Sequence, residues 1–198
     1  MIIKPVNTFM SQPQFRKWSD ALGGITEETW AATFDNLYKT TNHMKLIQHQ
    51  YKILTMIATS KYMRYKMKIN SSFNCAQCHP GSVETLEHIY IECPKHDIFF
   101  KRVEDFIKNF IEPNYSSNRK IYRLICSHSC KTINFLNVVA NWYVGRKVQH
   151  DKQLHWDEFN KYMNIFLEGE RIAVATSLKP ILESNRYLAW IGGGQIQN

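Results

Sequence analysis

Apolar residues recur three or four positions apart along most of the chain, the period of a helix with one buried face. Trp30, Phe34, Leu37 and Tyr38 form the first such run. Thr26 stands before it as a capping hydroxyl, with Glu27 and Glu28 where carboxylates complement the positive end of a helix. "TTN" breaks the pattern, and a second helix is predicted over about 42–58. Its stripe is Leu46, Ile47, Gln50, Ile53, Leu54 and Ile57, with Lys45, His49 and Lys52 on the other side. Further on, Phe99, Phe100, Val103, Phe106, Ile107 and Phe110 predict a strongly amphipathic helix. Two more are predicted near 118–127 and 131–149, the second carrying Ile133, Leu136, Ala140 and Tyr143. A last one begins near Trp156, with Asp157 and Glu158 in its first turn and Phe159, Tyr162, Met163, Phe166 and Leu167 as its stripe. No internal repeat and no strand-rich region interrupts this reading, which is of a mainly helical (mainly α) chain.

Between the helical runs lie polar stretches. Residues 1–25, ending in "ALGGIT", read as a loosely ordered lead-in, "EPNYSSN" as a loop around Pro113, and "HDKQ" as a turn. The expected organisation is a lead-in over 1–25, a helical segment over 26–70, a cysteine-rich segment over 71–96, a second helical segment over 97–176 and a frayed tail over 177–198.

The chain has 198 residues and is 44% hydrophobic, enough to build a core and too apolar for a disordered chain. A formal charge of +8 favours a polyanionic partner, nucleic acid before an acidic membrane surface. No secretory signal follows Met1, and no apolar window is long enough to span a membrane. Five cysteines, an odd number, argue against a disulfide framework and for thiols in a reducing compartment.

Three of those five cysteines fall within "FNCAQCHPGSVETLEHIYIECPKH". Cys75, Cys78, His88 and Cys93 spell C-x2-C-x9-H-x4-C. A C-x2-C turn aims two sulfurs at one ion, and three thiolates with one imidazole complete a closed tetrahedral zinc site. Such a site leaves no position for a reacting water, so its role is structural and its Zn2+ is part of the folding free energy. The predicted architecture is therefore a helical domain with a small inserted zinc-knuckle-like loop. His79 or His96 could stand in for His88, and a buried cysteine pair beside unrelated histidines is the plainer reading. A redox C-x-x-C needs a βαβ setting absent here. Cys126, His128 and Cys130 in "CSHSC" form a second, smaller group without a fourth ligand.

"KWSDALGGITEETWAATFDNLYKTT", "KLIQHQYKIL" and "NCAQC" followed by "ETLEHIYIECPK" stand in an order that resembles the C-terminal region of non-LTR (LINE-type) retrotransposon reverse transcriptases. Gln50, Tyr51, Lys52, Ile53 and Leu54 match the run on the helix pair; Glu92, Cys93, Pro94 and Lys95 match the exit from the cysteine cluster. "NFLNVVANWYVGRKVQ" and "WDEFNKYM" resemble the segment that follows. The resemblance covers roughly residues 15–176, and Phe100 stands where the family often has Trp. It implies a zinc-binding module that follows the polymerase thumb and holds template RNA or target DNA. It also implies an intracellular setting, in a cytoplasmic ribonucleoprotein or the nucleus, with the remainder of a reverse transcriptase as a further partner. The chain has no Y-x-D-D-like aspartate pair, no room for fingers and palm, and no endonuclease-like cluster of acids and histidines, so a non-catalytic module is expected, with no membrane partner and no small-molecule substrate.

The candidate nucleic-acid contacts are Lys61, Tyr62, Arg64, Tyr65, Lys66 and Lys68, just before the cluster, with Lys95 and Arg102 flanking its exit. Lysine and arginine neutralise phosphates, and tyrosine faces stack on unpaired bases. The plainer reading is a solvated helix face whose tyrosines pack inward. Arg146 and Lys147, near a helix C-terminus, need no ligand to explain them. Two other classes of function remain: a protein-interaction scaffold whose zinc is purely structural, and a zinc hydrolase using Glu84, Glu87 or Glu92 as base, which three thiolates disfavour.

Overall fold

A computed structural model of the chain describes residues 12–79, 81–115 and 119–175. The expected tail over 177–198, the first eleven residues of the lead-in and part of the loop after Pro113 lie outside the described residues.

The described chain is mainly helical, with helices α1 (Pro13–Leu22), α2 (Glu27–Thr40), α3 (Met44–Leu54), α4 (Lys61–Lys66), α5 (Pro94–Phe110), α6 (Arg119–Leu124), α7 (Lys131–Gln149) and α8 (Trp156–Ala175). A π-helical turn, His88–Glu92, precedes α5. Among the described residues the only β pairing is an isolated antiparallel bridge between Asn74 and Val83.

Residues 13–22 are not a loose lead-in. Pro13 opens α1, where its missing N–H costs nothing. Phe15, Trp18 and Leu22 form its buried stripe, and Gly23 closes it at φ +80°, a left-handed conformation that suits glycine. Trp18 Nε1 donates to the Leu54 carbonyl at 3.0 Å, so α1 is anchored on the end of α3. Thr26 caps α2 as expected, its Oγ1 accepting from Thr29 N at 3.2 Å. The second predicted helix stops early, at Leu54, because Met56 adopts φ +58° and the Ile57 and Ala58 amides turn back onto the Lys52 carbonyl. Ile57 therefore leaves the apolar stripe and is exposed.

Helix α7 is the axis of the fold. It is buried on nearly every side, as expected of a helix apolar around most of its circumference. Helices α2, α3, α5, α6 and α8 and the π turn all pack on it. One continuous core joins Phe15 and Trp18 of α1 to Phe166 and Leu167 of α8. A polar network crosses it: Asn141 of α7 donates to Gln50 Oε1 at 3.0 Å and to the Arg123 carbonyl, and Gln50 Nε2 donates to the Leu124 carbonyl at 2.7 Å. Gln50 thus belongs to the buried stripe because its amide links α3, α6 and α7. Glu170 of α8 is buried and accepts from Thr41 Oγ1, from Asn42 N at 2.8 Å and from Asn42 Nδ2 at 3.2 Å, holding the chain just before α3.

Candidate metal centre and the adjoining basic strip

Cys75, Cys78, His88 and Cys93 converge: one ligand atom from each lies within 4.8 Å of all the others. Two local structures bring them together. The first is the loop closed by the Asn74–Val83 bridge, in which Cys75 N donates to the Ser82 carbonyl at 2.8 Å and Glu84 N to the Phe73 carbonyl at 2.9 Å. Ser82 N reaches the His79 carbonyl at 3.2 Å, and Gly81 supplies the positive φ, +99°, which that turn needs. Inside the loop Gln77 N donates to Cys75 Sγ at 3.4 Å, a contact that favours a thiolate.

The second is the π turn. In an α-helix residues five apart point about 140° away from each other. Here Cys93 N donates to the His88 carbonyl at 2.7 Å, an i→i+5 bond that widens the turn and returns Cys93 to the side of His88. The same widening leaves Ile89, Tyr90 and Ile91 buried in the core.

The chemistry of the four side chains fits a metal ion. Cys75, His88 and Cys93 are buried and Cys78 is half-buried. His88 Nε2 faces Cys78 Sγ at 3.2 Å, while its Nδ1 lies 3.9 Å from a Glu92 carboxylate oxygen. At that distance the carboxylate is a nearby charge rather than a hydrogen-bond partner of the ring. Cys75 Sγ and Cys93 Sγ lie within 4.8 Å of each other; the adjacent Cys93 thiol pulls Cys75 down to about 4, and the same proximity pushes Cys93 up. The pair thus shares one proton, and a cation between the two sulfurs would let both become thiolates. The neighbouring histidines take other roles. His79 is exposed, and His96 turns its Nδ1 to the Ile89 carbonyl at 2.8 Å.

Among the described residues this is the one group of His, Cys, Asp and Glu side chains arranged to hold a metal ion. "CSHSC" does not form a second. Cys126 is buried in the core, His128 packs between the rings of Tyr115 and Tyr122, and its Nδ1 accepts from Cys130 N at 3.0 Å.

The loop is docked onto the rest of the fold. Gln77 Nε2 donates to the Lys152 carbonyl at 3.1 Å. Buried Glu84 accepts from Lys61 N at 2.9 Å and so fixes the start of α4, while Ser60 Oγ caps that helix by accepting from Met63 N. Burial pushes the Glu84 carboxyl up to about 7.

The basic residues before the loop divide. Lys61 is committed to the fold: its largely buried ammonium pairs with Asp151 at 2.6 Å. Tyr62 is half-buried with Lys66 Nζ 4.5 Å over its ring, and Arg64 is half-buried with its Nε inside. Tyr65, Lys66 and Lys68 are exposed. Tyr65 is 43% accessible and stands edge-on to Phe73 of the metal loop, ring centres 4.9 Å apart. Lys95 is exposed beside the centre, in an open groove of about 440 Å³ shared with Cys78, His79 and Ile98. Arg102 is exposed over the Trp156 ring at 5.3 Å. Lys147 is buried and paired with Glu158, and Arg146 stacks over Trp142 and Tyr162.

His49 is placed differently from its predicted exposed face. It turns inward, its Nε2 3.2 Å from both Tyr90 Oη and the Asn141 carbonyl. No family model matches the chain, and no curated protein and no solved structure matches it. Among the described residues no helix is long and apolar enough to cross a membrane.

Proposed function

We propose that the chain is a nucleic-acid-binding module whose fold is locked by one structural Zn2+, and that it is non-catalytic on its own. The observation that carries this reading is the contact between the metal loop and an exposed basic and aromatic strip. Tyr65 rests on Phe73, with Lys66 and Lys68 open to solvent beside it. Three thiolates and an imidazole are a soft donor set, which favours zinc over magnesium, calcium or manganese and fills all four tetrahedral positions. A net charge of +8 supplies the long-range attraction for a polyanion. The resemblance of residues 15–176 to the region after the thumb of LINE-type reverse transcriptases agrees with this reading and makes template RNA or target DNA the partner to try first.

A second reading, a protein-interaction scaffold, is favoured by Met67 and Ile69, which expose apolar surface within the same strip. A polymerase domain or another protein would cover them.

The test is zinc analysis followed by salt-titrated anisotropy with single-stranded RNA, duplex RNA and single-stranded DNA. One zinc per chain and an affinity that falls steeply with salt are expected. Absence of zinc overturns the structural reading. A zinc-loaded protein that binds none of the three at low salt favours the scaffold.

A further inference from the structure

Apart from the metal centre, α3, residues 57–59, α7 and the π turn line a half-open pocket of about 290 Å³. Seating one water takes only ~15 Å³. The space is close to the ~300 Å³ at which small-molecule sites begin.

Its walls carry a definite chemistry. Lys45, Gln48, His49 and Lys52 line it from α3, at the i, i+3, i+4, i+7 positions of one helix face. Trp142 and Gly145 line it from α7, and Tyr90 from the π turn. Among the described residues no carboxylate lines it. Neither Lys45 nor Lys52 has an ion-pair partner among the described residues, and both are exposed at its mouth. The interior is neutral but polar. His49 and Tyr90 share a hydrogen bond, and burial holds His49 down to about 4, uncharged at neutral pH. Gly145 allows this arrangement: a Cβ there would sit 2.5 Å from His49 Nε2 and 2.8 Å from Tyr90 Oη. A pocket with a cationic rim, aromatic walls and neutral donors suits a ligand with a phosphate at one end and a planar heterocycle at the other.

We propose that this cavity is a mononucleotide site, with Lys45 and Lys52 taking the phosphate monoester and the interior beside Trp142, His49 and Tyr90 taking the base. The two lysines stand about 10 Å apart along α3, so one phosphate at the rim lies within reach of both long side chains. A bare inorganic phosphate would leave most of the space unused. The site stands on residues separate from the α4 strip, so it does not depend on the nucleic-acid reading. The nucleotide has two sources, a free nucleoside monophosphate or the phosphorylated end of a strand.

The test is calorimetric titration of the full zinc-loaded chain at low salt with uridine 5′-monophosphate, adenosine 5′-monophosphate, uridine and inorganic phosphate. Saturable binding of the two monophosphates is expected, with uridine and phosphate each at least roughly tenfold weaker. Lys45→Ala with Lys52→Ala, both on the exposed rim and checked by circular dichroism, weakens the monophosphates at least roughly tenfold. Lys66→Ala with Lys68→Ala leaves them unchanged. No saturable binding, phosphate binding as tightly as the nucleotides, or indifference to the rim variant each overturns the proposal. Competition assigns the source. Displacement by a short 5′-phosphorylated oligonucleotide and not by its unphosphorylated twin assigns a strand end, and displacement by neither assigns a free nucleotide. Equal displacement by both overturns the site, because backbone phosphates rather than a monoester are then bound.

Discussion

His88 Nε2 lies 3.2 Å from Cys78 Sγ, although one sits on a π-helical turn and the other in a loop closed by a single β bridge. The π turn is held by its packing on α7, whereas the loop is tied down by the bridge and by a few hydrogen bonds such as that from Gln77 to the Lys152 carbonyl. Cys93→Ala, which leaves the loop half of the centre intact, should reduce bound zinc well below one per chain. It should also lower the melting temperature by more than 10 °C, because metal affinity at such sites is folding free energy on the order of 10 kcal/mol in small peptides. Metal analysis and thermal melts with and without chelator check it. An unchanged melt would remove the structural role of the centre.

Lys61 and Lys66 flank the same short helix and are expected to behave differently. Lys61 pairs with Asp151, so Lys61→Ala should lower stability while leaving the salt dependence of RNA binding unchanged. Lys66→Ala and Lys68→Ala together should lower the slope of log affinity against log salt by roughly 2 while leaving the melt unchanged. Anisotropy at several salt concentrations beside thermal melts of each variant separates the two.

Burial holds His49 down to about 4. The unfolded chain takes up this proton near its ordinary value of 6.5, so between these values the unfolded state binds more protons and stability rises with pH. Stability from this group is therefore complete above pH 6.5 and lost on acidification toward pH 4, in total about 3 kcal/mol. His49→Gln should flatten the dependence over that window. Urea melts at pH 7, 5.5 and 4 check it, because metal loss in acid is common to both proteins and cancels in the difference. Parallel curves would show that His49 titrates normally.

Gly145→Ala should cost about 1–3 kcal/mol, because the added methyl meets the His49 ring and the Tyr90 hydroxyl. Combined with His49→Ala the cost should fall, giving a favourable coupling of about 1 kcal/mol or more in a double-mutant cycle. Additive costs would mean that the methyl is refused by something other than the ring.

Glu170→Ala should cost about 2–3 kcal/mol, since three donors around Thr41 and Asn42 lose one carboxylate. Chemical denaturation measures it. A loss below 0.5 kcal/mol would place these hydrogen bonds among the dispensable contacts.

The helices that show early in the sequence are those whose local signals agree. Thr26 and the two glutamates mark the start of α2, and the periodicity of α7 gives its span. Helix α1 carried the same signals, with Pro13 at its start, Phe15, Trp18 and Leu22 three and four apart and Gly23 after it, but polar neighbours masked them. The four converging side chains were legible because C-x2-C followed by a histidine and a third cysteine is a spacing that metal sites use. The π turn that seats two of them was not, since an i→i+5 bond has no composition of its own. Lys61 read as a free cation because its partner, Asp151, lies in a turn far along the chain. His49 read as solvent-facing because nothing near it in sequence announces that α7 approaches closely at Gly145.

The position of α7 in the chain has a consequence for synthesis. Five earlier elements, α2, α3, the π turn, α5 and α6, pack on a helix translated after all of them. Until Gln149 has been made, their apolar faces have no common partner and must be shielded by transient collapse or by a chaperone. A fragment ending at Cys130 is therefore expected to keep helical circular dichroism while binding a hydrophobic dye strongly. Supplying a peptide of residues 131–149 in trans should quench that dye signal. Assembly would then be timed by the arrival of one late helix rather than by the order in which the others emerge.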